Sequence, residues 1–296
     1  MTPGERQKLR LGLAFISPWI IGFAVFGLYP VAMAVYFSFC DYDILRSPIL
    51  IGTENYTYML QDEIFWLSLW NTAYYAAFAV PLGLIMALLC AVLLNKEILG
   101  RSIFRTLFYI PAIVPLVGVA MIWLWLFNGQ FGLVNYALSY LFGIQGPLWL
   151  DDPAWTKNTL ILSQVWQIGG TMVLFLAGLQ DVPRSLYESA ELDGANSLRK
   201  FWSITIPMVS PVIYFNLIMG IIGGMQEFVK PFVMLGPDGG PERSALLYAV
   251  YLYQNAFTYN NMGYACAMAV VLFGIILFLT WLAHVGMRRH LYYAGD

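Results

Sequence analysis

The stretch from Leu11 to Cys40 contains no charged side chain. An apolar run of this length exceeds the roughly 20 residues that a helix needs to cross a bilayer. It is too long for a signal-peptide core and lacks a convincing cleavage site, so it predicts an uncleaved spanning helix. In the whole chain 60% of the residues are hydrophobic and only 11% are charged. In soluble domains roughly a quarter of all residues are charged, so this composition places the chain in the membrane class.

Five further apolar runs follow, separated by loops that are charged or rich in Gly and Pro. We therefore predict an all-α, polytopic membrane protein: one transmembrane domain over residues 1–296 with six transmembrane helices. The predicted spans are about 11–40, 70–95, 107–127, 159–180, 208–235 and 262–287. The segment 181–207, between the fourth and fifth spans, is predicted to be a polar cytoplasmic loop.

The orientation is predicted from the basic residues of the loops, which concentrate on the cytoplasmic side of membranes. Eleven fall on one side: Arg6, Lys8, Arg10, Lys96, Arg101, Arg105, Arg184, Arg199, Lys200, Arg288 and Arg289. Three fall on the other: Arg46, Lys157 and Arg243. This asymmetry places both termini and the polar segment in the cytoplasm.

Several functions are excluded by what the chain contains. A net charge of −2 argues against a nucleic-acid partner. Cys40, Cys90 and Cys266 are far apart, and His284 and His290 have no acidic cluster near them, so we expect neither a disulfide framework nor a metal site. No clustered acid, base or nucleophile is visible, so no catalytic residue is predicted. A GxxxxGK[ST] phosphate loop is missing, so this chain should not bind ATP itself.

The polar segment from Asp181 to Pro207 has the pattern of a short helical element. Pro183 suits a first turn, and Leu186, Ala190 and Gly194 recur every four residues on one narrow face. We expect a helix from Pro183 to about Leu198, with a break at Gly194. From the residues alone, a plain surface helix explains this pattern equally well.

The spacing adds a resemblance. Glu188-Ser189-Ala190, three residues, Gly194, nine residues and Ile204-x-Ile206-Pro207 is similar to the EAA loop of ABC-importer permeases, EAA-x3-G-x9-I-x-LP. Ser189 and Ile206 depart from that pattern, both by small or isosteric changes. Tyr187 and Asp193-Gly194-Ala195 resemble the carbohydrate, maltose-permease-like branch. The ATPase-coupling residues that the resemblance implies are Tyr187, Glu188, Ser189, Ala190, Asp193, Gly194, Ile204 and Pro207.

Weaker similarities cover nearly the whole chain, among them Asn71-Thr72, Gly100-Arg101, Ile110-Pro111 and Gly239-Gly240-Pro241. The resemblance implies a type I ABC-importer permease fold in a bacterial or archaeal plasma (inner) membrane. It also implies a second permease subunit, an ATPase dimer that carries ATP and Mg, and an extracytoplasmic solute-binding protein. No cofactor is expected on this chain.

Glu227 and Lys230 are the full charges within the predicted spans. Charges at membrane depth are costly and are functional candidates by default. The two could also simply neutralise each other, three residues apart on one helical face. Gly223-Gly224 before them and Pro231 after them predict an irregular helix, which is tolerated where it lines a cavity. Gln226 adds hydrogen-bonding capacity for a sugar.

The fourth span offers a second polar wall, although Ser, Gln and Gly are also ordinary packing residues between membrane helices. In the maltose-permease-like family the sugar pocket lies on these same two spans. The resemblance therefore implies pocket positions on both. The predicted substrate-binding residues are Ser163, Trp166, Gln167, Gly170, Gly223, Gly224, Gln226, Glu227 and Lys230.

The leading interpretation is a permease subunit of an ATP-driven, binding-protein-dependent importer for a sugar or oligosaccharide, with no enzymatic activity of its own. A type I permease for a non-sugar solute is the first alternative. An ion-coupled secondary carrier is less favoured because no internal repeat is visible. A membrane-embedded enzyme lacks a cluster of catalytic groups.

Overall fold

The computed structural model describes residues 3–97 and 99–288. Arg289, which entered the predicted orientation, and His290, which entered the argument against a metal site, lie outside the described residues, as do both chain ends. The chain divides into two compact units. The first comprises the residues up to Asp62 together with Leu252–Phe273. The second comprises Glu63–Tyr251 and the residues from Gly274 onward.

The first unit begins with a long apolar helix. It runs from α1 (Pro3–Phe23) through a π-helical segment (Ala24–Leu28) into α2 (Tyr29–Phe37). Its portion Leu11–Phe37 has the length and hydropathy of a membrane span, and none of it is buried within the chain. Exposed apolar side chains over such a length suit a helix that is covered by lipid or by another membrane subunit.

A short hairpin and α3 (Glu54–Gln61) follow this helix. Strands β1 (Cys40–Asp41) and β2 (Ile49–Leu50) pair in antiparallel fashion, with Cys40 opposite Leu50. The Asn55 side chain donates hydrogen bonds of 3.0 and 2.9 Å to the carbonyl oxygens of Ser38 and Cys40. The hairpin is therefore tied to the beginning of α3 through buried backbone acceptors.

The first unit is completed by a π-helical segment (Gln254–Thr258) and by the beginning of α16 (Met262–Met287). The Gly263 amide donates to the Tyr42 carbonyl at 3.0 Å. A Cβ on Gly263 would overlap the Cys40 carbonyl oxygen. The Tyr264 hydroxyl donates to Asp62 Oδ2 at 2.7 Å. Helix α16 thus packs closely against the hairpin and the end of α3.

The second unit is helical. Its elements are α4 (Glu63–Asn95), α5 (Arg101–Ile113), α6 (Leu116–Leu126), α7 (Leu133–Phe142), α8 (Pro153–Ser163), a 3₁₀ segment (Gln164–Gln167), α9 (Gly169–Gln180), α10 (Arg184–Leu192), α11 (Ser197–Lys200), a π-helical segment (Phe201–Thr205), α12 (Ile206–Met208), α13 (Ser210–Met225), α14 (Val229–Leu235), a 3₁₀ turn (Pro241–Arg243) and α15 (Tyr248–Tyr253). The 33-residue helix α4 packs against both α9 and α13. One apolar core lies among these helices, with Ala87, Met172 and Val209 fully buried.

Three continuous helical stretches are long and apolar enough to cross a membrane: Leu11–Phe37, α4 and α16. Three more are helix pairs bent by 101° between α5 and α6, by 48° between α8 and α9, and by 67° between α12 and α13. If each bent pair is one span, the described residues contain up to six. The predicted all-α membrane architecture is therefore confirmed.

The sharpest bend has a local cause. Val114 adopts an extended conformation (φ −67°, ψ 132°) directly before Pro115. Proline disfavours helical geometry in the residue that precedes it, so α5 ends there and α6 begins one residue after the proline.

Asn71 and Thr72, near the start of α4, anchor the loop that precedes α15. The Asn71 amide donates to the carbonyls of Arg243 and Leu246 at 3.1 and 3.2 Å. The Thr72 hydroxyl accepts from the Tyr248 backbone amide at 2.7 Å. Burial raises the pKa of the Tyr248 phenol. The side chains of Asn71 and Thr72 thus pair backbone groups that would otherwise be buried without partners.

Candidate functional site

A cavity of about 260 Å³ lies within the second unit, between α4, α9 and α13. It combines apolar walls with a few polar groups, the composition typical of small-molecule sites. Its polar lining consists of Tyr75, Gln164, Thr171, Asn216 and Glu227. Among the described lining residues, Glu227 is the one charged side chain.

Glu227 reaches the cavity because the fifth predicted span is interrupted beside it. Helix α13 ends at Met225, and α14 begins at Val229. The Glu227 carboxylate accepts from the Lys230 backbone amide at 3.4 Å, in the first turn of α14. An irregular stretch between two half-helices frees backbone groups, and a carboxylate at a helix start satisfies one of them.

The location of this break corrects one expectation. Gly223 and Gly224 remain helical within α13, so they do not loosen the helix; the break follows at Gln226–Phe228. A Cβ on Gly224 would lie 3.0 Å from the Val80 side chain, so its small size serves the close approach of α13 to α4. Pro231 does not interrupt the helix either. It lies in the first turn of α14, where a missing N–H costs nothing.

Lys230 lies behind the cavity wall and is only 1% exposed. Its Nζ donates to Gln164 Oε1 at 2.5 Å and to the Tyr75 hydroxyl at 3.3 Å, and it lies 3.6 Å from Glu227 Oε2. The Tyr75 hydroxyl in turn lies 3.5 Å from Glu227 Oε2. A buried ammonium is tolerated only with such partners, and here they come from α4, the 3₁₀ segment and the break before α14.

The predicted pocket residues fall into two groups. Gly223, Gly224 and Glu227 line the cavity. The remaining six, Ser163, Trp166, Gln167, Gly170, Gln226 and Lys230, are not among its lining residues. Ser163 is fully buried and bonds to the Leu160 carbonyl in its own helix. Trp166 packs edge-on against Trp123, with ring centroids 6.1 Å apart.

Four polar lining residues are not among the predicted substrate-binding residues: Tyr75, Gln164, Thr171 and Asn216. Gln164 was visible as an amide within an apolar span, next to predicted positions. Asn216 has the same signal, and its amide donates to the Val212 carbonyl at 2.8 Å, leaving its oxygen available. Tyr75 carried no signal of its own, since the chain has nineteen tyrosines.

The predicted coupling segment forms two short helices instead of one. Helix α10 ends at Leu192, so the expected continuous helix to Leu198 is wrong, while the break at Gly194 is confirmed. Gly194 has φ +75°, its amide donates to the Glu191 carbonyl, and the Ala195 amide donates to the Ala190 carbonyl. This is a Schellman motif, which ends helices at a residue with positive φ, usually glycine.

The second short helix is held against the first by side chains. Asn196 caps α11 by accepting from the Arg199 amide at 2.8 Å. Lys200 Nζ lies 2.5 Å from Glu191 Oε1, and the hydroxyls of Tyr187 and Thr205 are 3.0 Å apart. These contacts fix the angle between α10 and the chain that leads into α13.

The segment exposes one set of the predicted coupling residues and buries another. Glu188, Ser189, Asp193 and Gly194 are exposed, and Ala190 is half-buried. Tyr187 and Ile204 pack against the core between α4 and α9, and Pro207 is half-buried in α12. Large apolar side chains are exposed as well: Leu192 is 91% exposed, Leu198 67% and Trp202 63%.

The described residues thus form a helical membrane protein with a cavity of about 260 Å³ between α4, α9 and α13 and a polar segment between α9 and α13. The chain belongs to the family of binding-protein-dependent transport system inner membrane components, whose model matches residues 79–289. It is therefore a permease subunit of an ABC importer, which works in the membrane together with a binding protein. The family resemblance of the sequence is confirmed.

Relatives span nearly the whole chain. The probable ABC transporter permease protein YesP of Bacillus subtilis (strain 168) is 44% identical over 93% of this chain and 89% of its own length. The sulfoquinovosyl glycerol transport system permease protein SmoG of Agrobacterium fabrum (strain C58 / ATCC 33970) is 37% identical over 91% of this chain and 88% of its own length. The arabinooligosaccharides transport system permease protein AraP of B. subtilis (strain 168) is 35% identical over 89% of this chain and 84% of its own length.

A solved structure confirms the predicted type I fold. A chain of the bacterial alginate ABC transporter, crystallised in complex with an alginate pentasaccharide-bound periplasmic protein, superposes with a TM-score of 0.82. The superposition covers 97% of this chain and 96% of that one, at 23% sequence identity.

Proposed function

We propose that this subunit imports an uncharged sugar or short oligosaccharide through the cavity between α4, α9 and α13. The observation that carries the proposal is the lining. A phenol, two amides, a threonine hydroxyl and a single carboxylate can exchange many hydrogen bonds with sugar hydroxyls. The relative named for arabinooligosaccharides supports a carbohydrate of this kind as the solute.

The proposal of an uncharged sugar rests on the sign of the lining charge. Lys230 is buried behind the wall and offers no free donor, whereas Glu227 faces the cavity. A uronate or sulfonate placed there would meet a like charge in a partly desolvated site, which is unfavourable. A neutral sugar uses the carboxylate as an acceptor instead.

We also propose how the chain is coupled to ATP hydrolysis. Helix α10, with Glu188 exposed and Gly194 at its end, docks into a groove of an ATPase subunit that carries the ATP and Mg. In this arrangement the segment 181–207 and both termini are cytoplasmic, a second permease subunit completes the pathway, and the solute-binding protein docks on the opposite side. A soluble partner can push on α10 because Tyr187, Ile204 and the Glu191–Lys200 pair connect it to α13.

The test is purification of the chain in mild detergent, followed by identification of the proteins that remain bound. A second permease subunit and an ATPase support the proposal, and addition of neutral oligosaccharide with the binding protein should then stimulate ATP hydrolysis. Stimulation by an amino acid or an oxyanion, with none by a sugar, would replace the carbohydrate with a non-sugar solute. A homo-oligomer without an ATPase contradicts the coupling proposal.

A further inference from the structure

A second polar cavity, of about 340 Å³, lies in the second unit between the end of α4, the beginning of α5 and the beginning of α10. Its walls carry Asn95, Glu97, Arg101, Gln180, Arg184 and Tyr187. It shares no lining residue with the solute cavity, and Tyr187 is the one lining residue that the coupling proposal uses by name.

Arg101 of α5 lines this cavity, and Arg105 lies next to it outside the lining. Arg101 and Arg105 are four residues apart on α5 and therefore lie on the same face. With its amide oxygen facing α5, Gln180 accepts from Arg101 Nη2 and Arg105 Nη2, both at 3.2 Å. Among the described residues, neither guanidinium lies within ion-pair distance of an acidic group.

The guanidinium groups also retain unused donors. The Nε atoms of both Arg101 and Arg105 are buried and have no hydrogen-bond partner among the described residues. Leaving a buried donor unpaired is unfavourable, and more so when the group is charged. One neutral amide oxygen shared between two cations does not offset that cost, so an anion with several acceptor oxygens would be favoured here.

The charges around the cavity fit an anion of this kind. The lining carries two positive charges, from Arg101 and Arg184, and one negative charge, from Glu97. Arg105 adds a third positive charge beside the lining, where it shares Gln180 with Arg101. The thirteen-residue helix α5 begins at Arg101, so its positive dipole end lies at the cavity too. A phosphate group accepts bidentate hydrogen bonds from arginine and is the best match in geometry and charge.

The surroundings favour a lipid as the source of that phosphate. On the same helix, Phe104 and Phe108 follow Arg101 by three and seven residues, so they lie next to the arginines, and they are 44% and 41% exposed. Leu99, just before α5, is 99% exposed. A free phosphate would use the polar cavity alone, whereas a phospholipid places its headgroup in the cavity and its chains along these apolar side chains.

We propose that the cavity lined by Arg101 and Arg184, with Arg105 beside it, binds the headgroup phosphate of an anionic phospholipid. Arg184 begins α10, and Tyr187 of α10 lines the same cavity. A bound lipid would therefore hold the first turn of α10 in place. The inference concerns lipid binding and stands whatever solute the subunit transports.

The experiment measures binding of a fluorescent phosphatidylglycerol to the purified permease complex, with phosphatidylcholine as the comparison lipid. We expect the double substitution Arg101→Gln with Arg105→Gln to weaken phosphatidylglycerol binding by about tenfold or more, since charge-assisted hydrogen bonds are lost. Phosphatidylcholine binding should not change. Arg199→Gln, an exposed arginine of α11, is the matched control and should bind like the wild type.

A second variant guards against misfolding. Arg101→Lys with Arg105→Lys keeps the charge but loses bidentate geometry, so an intermediate affinity supports the proposal. Unchanged phosphatidylglycerol binding in the glutamine variant overturns it. Displacement of the lipid by millimolar inorganic phosphate assigns the site to free phosphate and overturns the lipid. If the glutamine variant loses the ATPase subunit but keeps its lipid binding, an acidic side chain of that partner fills the cavity, and the lipid proposal is overturned.

Discussion

Lys230 Nζ lies 3.6 Å from Glu227 Oε2, yet only the carboxylate of this pair lines the cavity. The ammonium also bonds to Gln164 and Tyr75, so it does not depend on Glu227 alone. Lys230 therefore holds three elements of the cavity wall together, and Glu227 remains available as an acceptor for a solute.

This arrangement predicts different outcomes for two substitutions. Glu227→Gln should leave an assembled complex whose solute affinity at the cavity falls by about tenfold or more, because a hydrogen bond to a charged group contributes roughly 1.5–3 kcal/mol. Uptake of radiolabelled sugar and the yield of intact complex check both parts. Gln226→Ala is the control, because Gln226 is exposed and does not line the cavity.

The double variant Glu227→Gln with Lys230→Met separates solute binding from charge neutralisation. If the carboxylate serves the solute, the double variant stays impaired in uptake. Recovery of both complex yield and uptake in the double variant would show that Glu227 only neutralises Lys230.

The coupling segment predicts a dependence on Gly194. No atom lies within 4 Å of a Cβ at this position, so a side chain there disturbs little inside the chain apart from the positive φ. Gly194→Glu adds bulk and charge to the proposed docking face and should abolish ATPase association in a pull-down. Ser185→Glu, exposed in the first turn of the same helix, should retain it. Normal association and uptake with Gly194→Glu would contradict docking at this face.

Orientation is tested by single cysteines at exposed positions. Glu54→Cys and Ser139→Cys should react with an impermeant maleimide added to intact cells, and Ser197→Cys should react only after lysis. Asn55 and Gly239 suit the test less well, since Asn55 holds the hairpin and a Cβ on Gly239 would overlap the Leu246 backbone. Labelling of Ser197→Cys in sealed cells would reverse the predicted topology.

The beginning of α16 offers a stability prediction with a matched control. Gly263→Ala forces a methyl group against the Cys40 carbonyl and should destabilise the protein by about 1–3 kcal/mol, the usual cost of overpacking. Gly274→Ala, on the same helix, meets no atom within 4 Å and should be neutral. Thermal unfolding in detergent checks the pair, and equal midpoints would contradict the close packing.

The membrane architecture could be predicted from the sequence because apolar run length alone separates spanning helices from other structure. The break at Gly194 was predictable for a similar reason, since a glycine followed by Asn196-Ser197 is a local signal. The 101° bend between α5 and α6 was less accessible. Pro115 marks the position, but the direction of the chain after it depends on packing against distant helices.

The cavity was only partly predictable for the same physical reason. Glu227 could be found because a charge at membrane depth is rare and costly. Whether Lys230 faced the cavity or the protein interior depended on Tyr75 and Gln164, which are 155 and 66 residues away in the chain. Periodicity within one helix carries no information about such contacts.

The most direct measurement of the central claim is ATP-dependent uptake into proteoliposomes that contain the purified complex and its binding protein. We expect accumulation of a neutral oligosaccharide, loss of that accumulation with Glu227→Gln, and no accumulation of the matching uronate. Accumulation of the uronate in preference to the neutral sugar, or wild-type uptake by a well-assembled Glu227→Ala complex, would contradict the assignment of this cavity.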